Sequence, residues 1–171
     1  MYKNIYLKRG KDESLKRFHP WIFSGAINKM DEGIAEGDIV KVFSQKGDFM
    51  AVGHYQKGTI AVRVLSFDDI AIDDAFWETR IASAFNMRKS IGIADNPANN
   101  TYRLVHGEGD YLPGLVIDCY GPTAVVQAHS VGMHFSRQAV CQALLKVMGD
   151  RIENVFYKSE TTLPYKAALG Q

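Results

Sequence analysis

Two hydrophobic periods divide the chain. From residue 22 to residue 67, apolar positions recur mostly every second residue, the repeat of half-buried strands. Ile39, Val40, Val42 and Phe43 lead into a polar turn at residues 45–48, and Phe49, Ala51 and Val52 lead out of it. After a second break at Lys57 and Gly58, the residues Ile60, Val62, Val64 and Phe67 place one face of a strand in a core. Residues 5–7 read as another short strand. Residues 12–17 read as one helical turn, closed off by Pro20 because proline disfavours helix at the residue before it. Short strands joined by glycine-bearing turns predict a small barrel.

The period then changes. Trp77, Ile81, Ala84 and Phe85 recur at helical spacing. Acidic residues at 73 and 74, Arg88 and Lys89 in the last turn and Gly92 as a stop predict a helix over residues 73–91. The polar segment DNPANNT, residues 95–101, is the best candidate for a domain boundary. Beyond it, residues 115–118 and 124–128 read as strands joined by Gly121 and Pro122. Residues 134–148 read as one amphipathic helix ending at Gly149, and residues 154–157 as a further strand. Residues 163–171 carry no clear strand pattern.

Composition narrows the class. At 171 residues, with 46% hydrophobic and 23% charged residues, the chain is long enough to bury a core without disulfides. Cys119 and Cys141 stand apart, with no CxxC and no histidine at ligand spacing. That argues against a structural zinc and for two buried free thiols in a reducing cytosol. No apolar run approaches the roughly 18 residues a membrane helix needs, and the N-terminus lacks the apolar stretch of a signal peptide. The net charge is only +1, but its distribution is uneven. Residues 1–29 hold seven Lys/Arg against two acids, a net of +5, so the remainder carries −4. This is a localised basic face, suited to nucleic acid rather than to a general coating.

That face lies in LKRGKDESLKRFHPWIFSG, residues 7–25, where basic residues run directly into rings. Cations suit phosphates and flat rings suit bases, so RNA is the first partner to consider. Trp21 and Phe23, as large apolar rings, are expected in the core. Lys8, Lys11, Lys16 and Arg17 form either a solvated face or a phosphate-binding one. His19 either caps a turn or stacks on a base.

The second polar stretch, RLVHGEGDYLPGLVIDCYG, spans residues 103–121. It is not a dinucleotide loop, because the third glycine of GxGxxG would fall at Leu112 and two carboxylates would repel phosphate. Glu108, Asp110 and His106 could form an acid–base set, as in a small hydrolase. The reading preferred here is a turn-rich hairpin with Pro113 and Gly114 in a type II turn and the carboxylates bonded to backbone amides. His54, His129 and His134 lack metal-ligand spacing, and Ser24 is not in a nucleophile elbow. Cys119 reads as a small hydrophobe on a strand.

Together, ESLKRFHPWIFSGAI and YRLVHGEGDYLPGLVIDCYG resemble the PUA-domain class I methyltransferases of bacteria, typified by a 23S ribosomal RNA cytosine-5 methyltransferase. The resemblance covers the chain to about Tyr157. It implies a mixed β and α/β fold: a PUA-like β pseudo-barrel (residues 1–70), a helix and connector (71–101), and part of a small strand-strand-helix-strand α/β domain (102–171). In that family a Rossmann domain follows, with a glycine-rich S-adenosylmethionine loop and a catalytic cysteine. Neither motif occurs in this sequence, and Cys119 stands where the family usually has Arg. The resemblance therefore implies an N-terminal piece of a cytoplasmic enzyme, with no catalytic, cofactor or metal residues of its own. S-adenosylmethionine would belong to the full-length enzyme, whose methyltransferase domain would be a partner of this part. By matching position, Lys16, Arg17, His19, Trp21, Ser24 and Gly25 fall in the PUA motif. Arg103, His106, Gly107, Glu108, Asp110, Pro113, Gly114, Asp118 and Tyr120 fall in the central one. The expected RNA-binding residues are Lys8, Lys11, Lys16, Arg17 and His19. A freestanding RNA-binding adaptor is the alternative, and a homodimer is compatible with either reading.

Overall fold

The structure, a computed structural model, describes residues 2–164. It divides into two compact units, Met1–Ala71 and Ile72–Gln171. The first contains β1 (Lys3–Leu7), α1 (Glu13–Lys16), β2 (Trp21–Phe23), β3 (Ile27–Met30), β4 (Ile39–Phe43), β5 (Phe49–Tyr55) and β6 (Ile60–Ser66). The six strands form one sheet in the order β2-β6-β5-β4-β1-β3. β1 runs parallel to β4, and the other pairs are antiparallel. β2 and β3 are left as edges, so the barrel is an open, curled half-barrel.

Alternation selects its core. Ile5 and Leu7, Val40 and Val42, and Val62 and Val64 point to one side with Leu15, Ile22 and Ala51. β6 departs from the expected one-sided burial, because Ala61 and Leu65 on its other face are buried too. β5 behaves likewise, burying Val52 and His54. β5 and β6 approach closely at Gly53, where a Cβ would overlap the Arg63 carbonyl oxygen and lie 2.9 Å from the Val64 Cα. Only glycine fits there. Burial pushes the His54 pKa down to about 4, and the charge of Arg63 adds to the effect.

The end of α1 differs from expectation. Pro20 is not what stops it. Phe18 turns left-handed (φ 59°), its N–H bonds the Leu15 carbonyl at 2.9 Å, and the His19 N–H bonds the Ser14 carbonyl at 3.0 Å. This is the usual two-bond helix stop, with a phenylalanine where glycine is favoured.

The second unit contains α2 (Asp74–Ser90), β7 (Thr101–His106), β8 (Leu115–Tyr120), β9 (Thr123–Ala128), α3 (Val131–Phe135), α4 (Arg137–Met148) and β10 (Asn154–Tyr157). The sheet order is β10-β9-β8-β7, antiparallel except for β10 beside β9. The Asp73 side chain caps α2 by accepting the Phe76 N–H at 3.0 Å. α2 packs on α4 and β7, burying Phe76, Trp77, Ile81, Ala84 and Phe85. The single helix expected over residues 134–148 is two. It begins earlier, at the Ser130 cap, and breaks at Ser136, where ψ is −2°. Cys119 is buried as expected, whereas Cys141 is only half-buried. The reading of residues 165–171 lies outside the described residues.

A buried ion pair fastens this unit. Arg88, on the inner face of α2, meets both carboxylate oxygens of Asp110, with Nη2 to Oδ2 at 2.8 Å. The Arg88 Nε also donates to the Arg103 carbonyl at 3.1 Å, and Asp110 accepts the His106 N–H at 2.6 Å. Helix, strand β7 and the turn Gly107–Asp110 are thus held by one charge pair. Breaking one side of such a pair leaves a buried charge without compensation.

Asp110→Asn or Arg88→Met should each cost about 3–5 kcal/mol in urea unfolding, and the double change Arg88→Met/Asp110→Leu less than their sum. The His54 shift has a defined sign. The unfolded imidazole titrates near 6.5 and the folded one near 4, so stability is complete above 6.5 and is lost as pH falls from about 6.5 to about 4. Between pH 7 and pH 5 that loss should be about 2 kcal/mol, and His54→Gln should remove it. Identical pH profiles for the two proteins would contradict this.

Candidate nucleic-acid interface

The basic and aromatic segment surrounds the edge strand β2. Ile22 is 3% exposed and pairs with Val62, taking the core side of the strand. Neighbouring side chains on a strand point to opposite faces, so burying Ile22 turns Trp21 outward, and past a register shift after Ile22 the Phe23 ring is exposed as well. The expectation that both rings lie in the core is therefore corrected: Trp21 is half-buried and Phe23 is 45% exposed. His19 does cap the turn. Its Nδ1 lies 3.1 Å from the Trp21 N and 3.3 Å from the Trp21 carbonyl oxygen, tying the ring to the backbone of the turn. The His19 ring stands edge-on to Trp21 at 5.9 Å and tilted to Phe23 at 6.2 Å. Beside Phe23 lies a groove of about 300 Å³ lined by Lys11, Ser14, Ile22, Phe23, Gly25 and Ala26.

The five expected binding residues are all exposed, but their charges are not equivalent. Lys16 lies 2.9 Å from both Asp12 and Glu13. Hydrogen bonds to Glu13 and Asp12 push its pKa up to about 12, and its own hydrogen bond holds the Asp12 carboxyl below the usual range. Its charge is thus spent locally, offsetting part of the charge of two acids at the foot of α1. The Lys8 Nζ donates to the Gly25 carbonyl at 3.0 Å, joining the start of the segment to its end. Among the described residues, Lys11, Arg17 and also Arg9 form no ion pair with a carboxylate. The outward rings and the standing of Arg9 escape a reading by composition. The alternation around Ile22 is the signal that finds Phe23.

Phe18 adds a further feature. It is 70% exposed, and it holds a left-handed backbone, with its ring edge-on to Phe67 at 5.2 Å. An exposed bulky residue in that conformation carries a backbone cost that glycine would avoid.

In the second unit, the residues 103–121 are placed by structure rather than chemistry. Asp110 is consumed by Arg88 and the His106 amide, as a carboxylate bonded to backbone in part and to a cation in part. Glu108 and His106 are exposed. Arg103 forks onto Asp118 at 2.7 and 3.0 Å across β7 and β8. Gly114 is left-handed (φ 84°), and a Cβ there would lie 2.6 Å from the Ser130 hydroxyl. Burial pushes the Cys119 thiol up to about 11, the opposite of an activated nucleophile. Among the described residues no group of three or more His, Cys, Asp or Glu side chains could hold a metal. No described helix is long and apolar enough to cross a membrane.

Half-barrel topology, edge strand and basic rim define a class. Residues 5–67 match the PUA-like domain family. The chain as a whole is homologous to proteins named ribosomal RNA large subunit methyltransferase I. It is 36% identical over 152 residues to that of Klebsiella pneumoniae, covering 88% of this chain and 38% of the relative. For Vibrio parahaemolyticus the figures are 36% over 168 residues, with 98% and 41% covered. The chain therefore spans about two fifths of the length of these relatives. Its fold resembles that of a Streptococcus mutans protein described as a SAM-dependent methyltransferase, with a TM-score of 0.79 at 16% identity, covering all of this chain and 44% of that one.

Replacing Phe18 by glycine should raise stability by about 1 kcal/mol, read by urea unfolding, because glycine takes the left-handed conformation without steric cost. A fall in stability would mean that the Phe18–Phe67 contact outweighs the backbone cost.

Proposed function

We propose that this chain is the RNA-recognition part of an S-adenosylmethionine-dependent ribosomal RNA methyltransferase, of the cytosine-5 type, acting in the cytoplasm. The observation that carries the reading is the basic, ring-bearing edge of a PUA-like half-barrel in a homologue of ribosomal RNA methyltransferases. Lys8, Lys11 and Arg17, with Arg9, meet phosphates. His19 contributes its exposed ring. Lys16 acts indirectly, by pairing with Asp12 and Glu13 and offsetting part of the negative charge that would repel the backbone of RNA. Residues 1–70 form the RNA-binding domain, and residues 102–171 belong to a central α/β domain.

The chemistry of methyl transfer is assigned to a separate methyltransferase domain, which would bind S-adenosylmethionine and act on a target base taken out of its stack. The supporting observation is that the chain matches about two fifths of the length of relatives named ribosomal RNA large subunit methyltransferase I. A freestanding RNA-binding adaptor is the second reading. It rests on the same basic edge and differs only in lacking the enzymatic context.

With about three or four phosphates met, log affinity for RNA should fall with log salt at a slope of roughly −2 to −3. Charge reversal at Lys11 and Arg17 should flatten that slope. Lys16→Ala should weaken binding, and the combined change Lys16→Ala/Asp12→Asn/Glu13→Gln should restore much of it. A salt-independent affinity, or one unaffected by reversal at Lys11 and Arg17, would contradict the proposal.

A further inference from the structure

We propose that the groove beside Phe23 takes an unpaired RNA base, so that this edge selects single-stranded or unpaired nucleotides over continuous duplex. The inference rests on the RNA-binding reading above and names the form of RNA that the site accepts.

Three observations support it. The first is Phe23 itself. Its neighbour Ile22 holds the strand in place through the core, and Phe23 remains 45% exposed beside the tilted ring of His19. An aromatic face held on a rigid strand is a stacking platform, and stacking tolerates every base because each has a π-face. The second is the groove that this ring borders. At about 300 Å³ it is large enough for one base, and its lining combines the apolar Phe23 and Ala26 with the polar Ser14 and Lys11. A base paired within a duplex could not enter it, because its faces are covered by its neighbours and its hydrogen-bonding edge is occupied.

The third is charge. No acid lines the groove, and Lys11 stands on its rim without a carboxylate partner among the described residues. The two nearest acids in sequence, Asp12 and Glu13, are both engaged by Lys16. A base in the groove would therefore bring its phosphate toward Lys11 rather than toward a carboxylate. Gly25 completes the arrangement. It is one of the lining residues, and a Cβ added there meets nothing within 4 Å, so a larger side chain can be placed at the groove without a packing clash.

That last point supplies a test whose variant should fold. Binding of the full chain to a short single-stranded RNA, and to the same strand annealed to its complement, is measured by fluorescence anisotropy. The wild type should favour the single strand. Phe23→Ala should weaken single-strand binding about tenfold, the size of one lost base–aromatic stack, while changing duplex binding less than about twofold. Gly25→Leu, which adds bulk at the groove's lining and keeps every cation, should do the same, with thermal unfolding confirming that it is folded. If RNA binds but duplex and single strand bind alike, or Gly25→Leu leaves single-strand affinity unchanged, the base-binding inference is overturned while RNA recognition stands. If neither RNA form binds, the underlying reading falls and the inference with it.

Discussion

The side-chain alternation of β-strands is the constraint on which the first unit depends. A strand of this sheet gives its apolar face to the core and turns the alternate side chains to the other side, even though β5 and β6 bury both of their faces. Ile5 and Leu7, Val40 and Val42, and Val62 and Val64 meet this condition together. β2 has only three residues, and Ile22 is the one that the core takes. Phe23 is thereby exposed at the edge of the sheet, with His19 hydrogen-bonded into the turn before it. The rings of this edge owe their position to the packing of a single isoleucine. The cations owe theirs to a short helix whose acids are already paired.

The second unit depends on a different kind of bond. Arg88 and Asp110 bury opposite charges between a helix and a turn, and each makes a further hydrogen bond to backbone. A desolvated pair of this kind is no great source of stability compared with apolar packing, but it penalises any arrangement that separates its partners. It therefore specifies where the turn Gly107–Asp110 sits against α2. This explains why a stretch so rich in polar residues need not be a reaction centre. Its most buried carboxylate is held by Arg88 and the His106 amide, and burial raises the pKa of the Cys119 thiol.

Much of this was legible in the sequence. The long helix was visible through its acidic start, its period and its basic end, and the strands β4, β5 and β6 through their alternation and glycine turns. The basic segment was visible as a composition. What was not legible depended on partners far apart in the chain or on backbone geometry. Arg88 reads as an ordinary cation at a helix C-terminus, and nothing local says that Asp110 is waiting for it. Phe18 gives no sign that it will adopt a left-handed conformation, since that position usually announces itself as glycine. The break at Ser136 falls within an uninterrupted amphipathic pattern, so periodicity runs through it. Weighing the rings singly places Trp21 and Phe23 in the core, whereas the structure exposes Phe23 and half-buries Trp21. Three consecutive apolar residues on a strand cannot all face one core, and the smallest of them was the one buried.

RNA is proposed to meet this chain at one edge of the half-barrel. Amide chemical-shift mapping of the labelled chain, titrated with a single-stranded ribosomal RNA segment, tests it most directly. This placement predicts perturbations concentrated between residues 8 and 26, with Lys11, Phe23 and Gly25 among the largest and strands β8 and β9 silent. Perturbations centred on the second unit, or spread evenly over the surface, would contradict it.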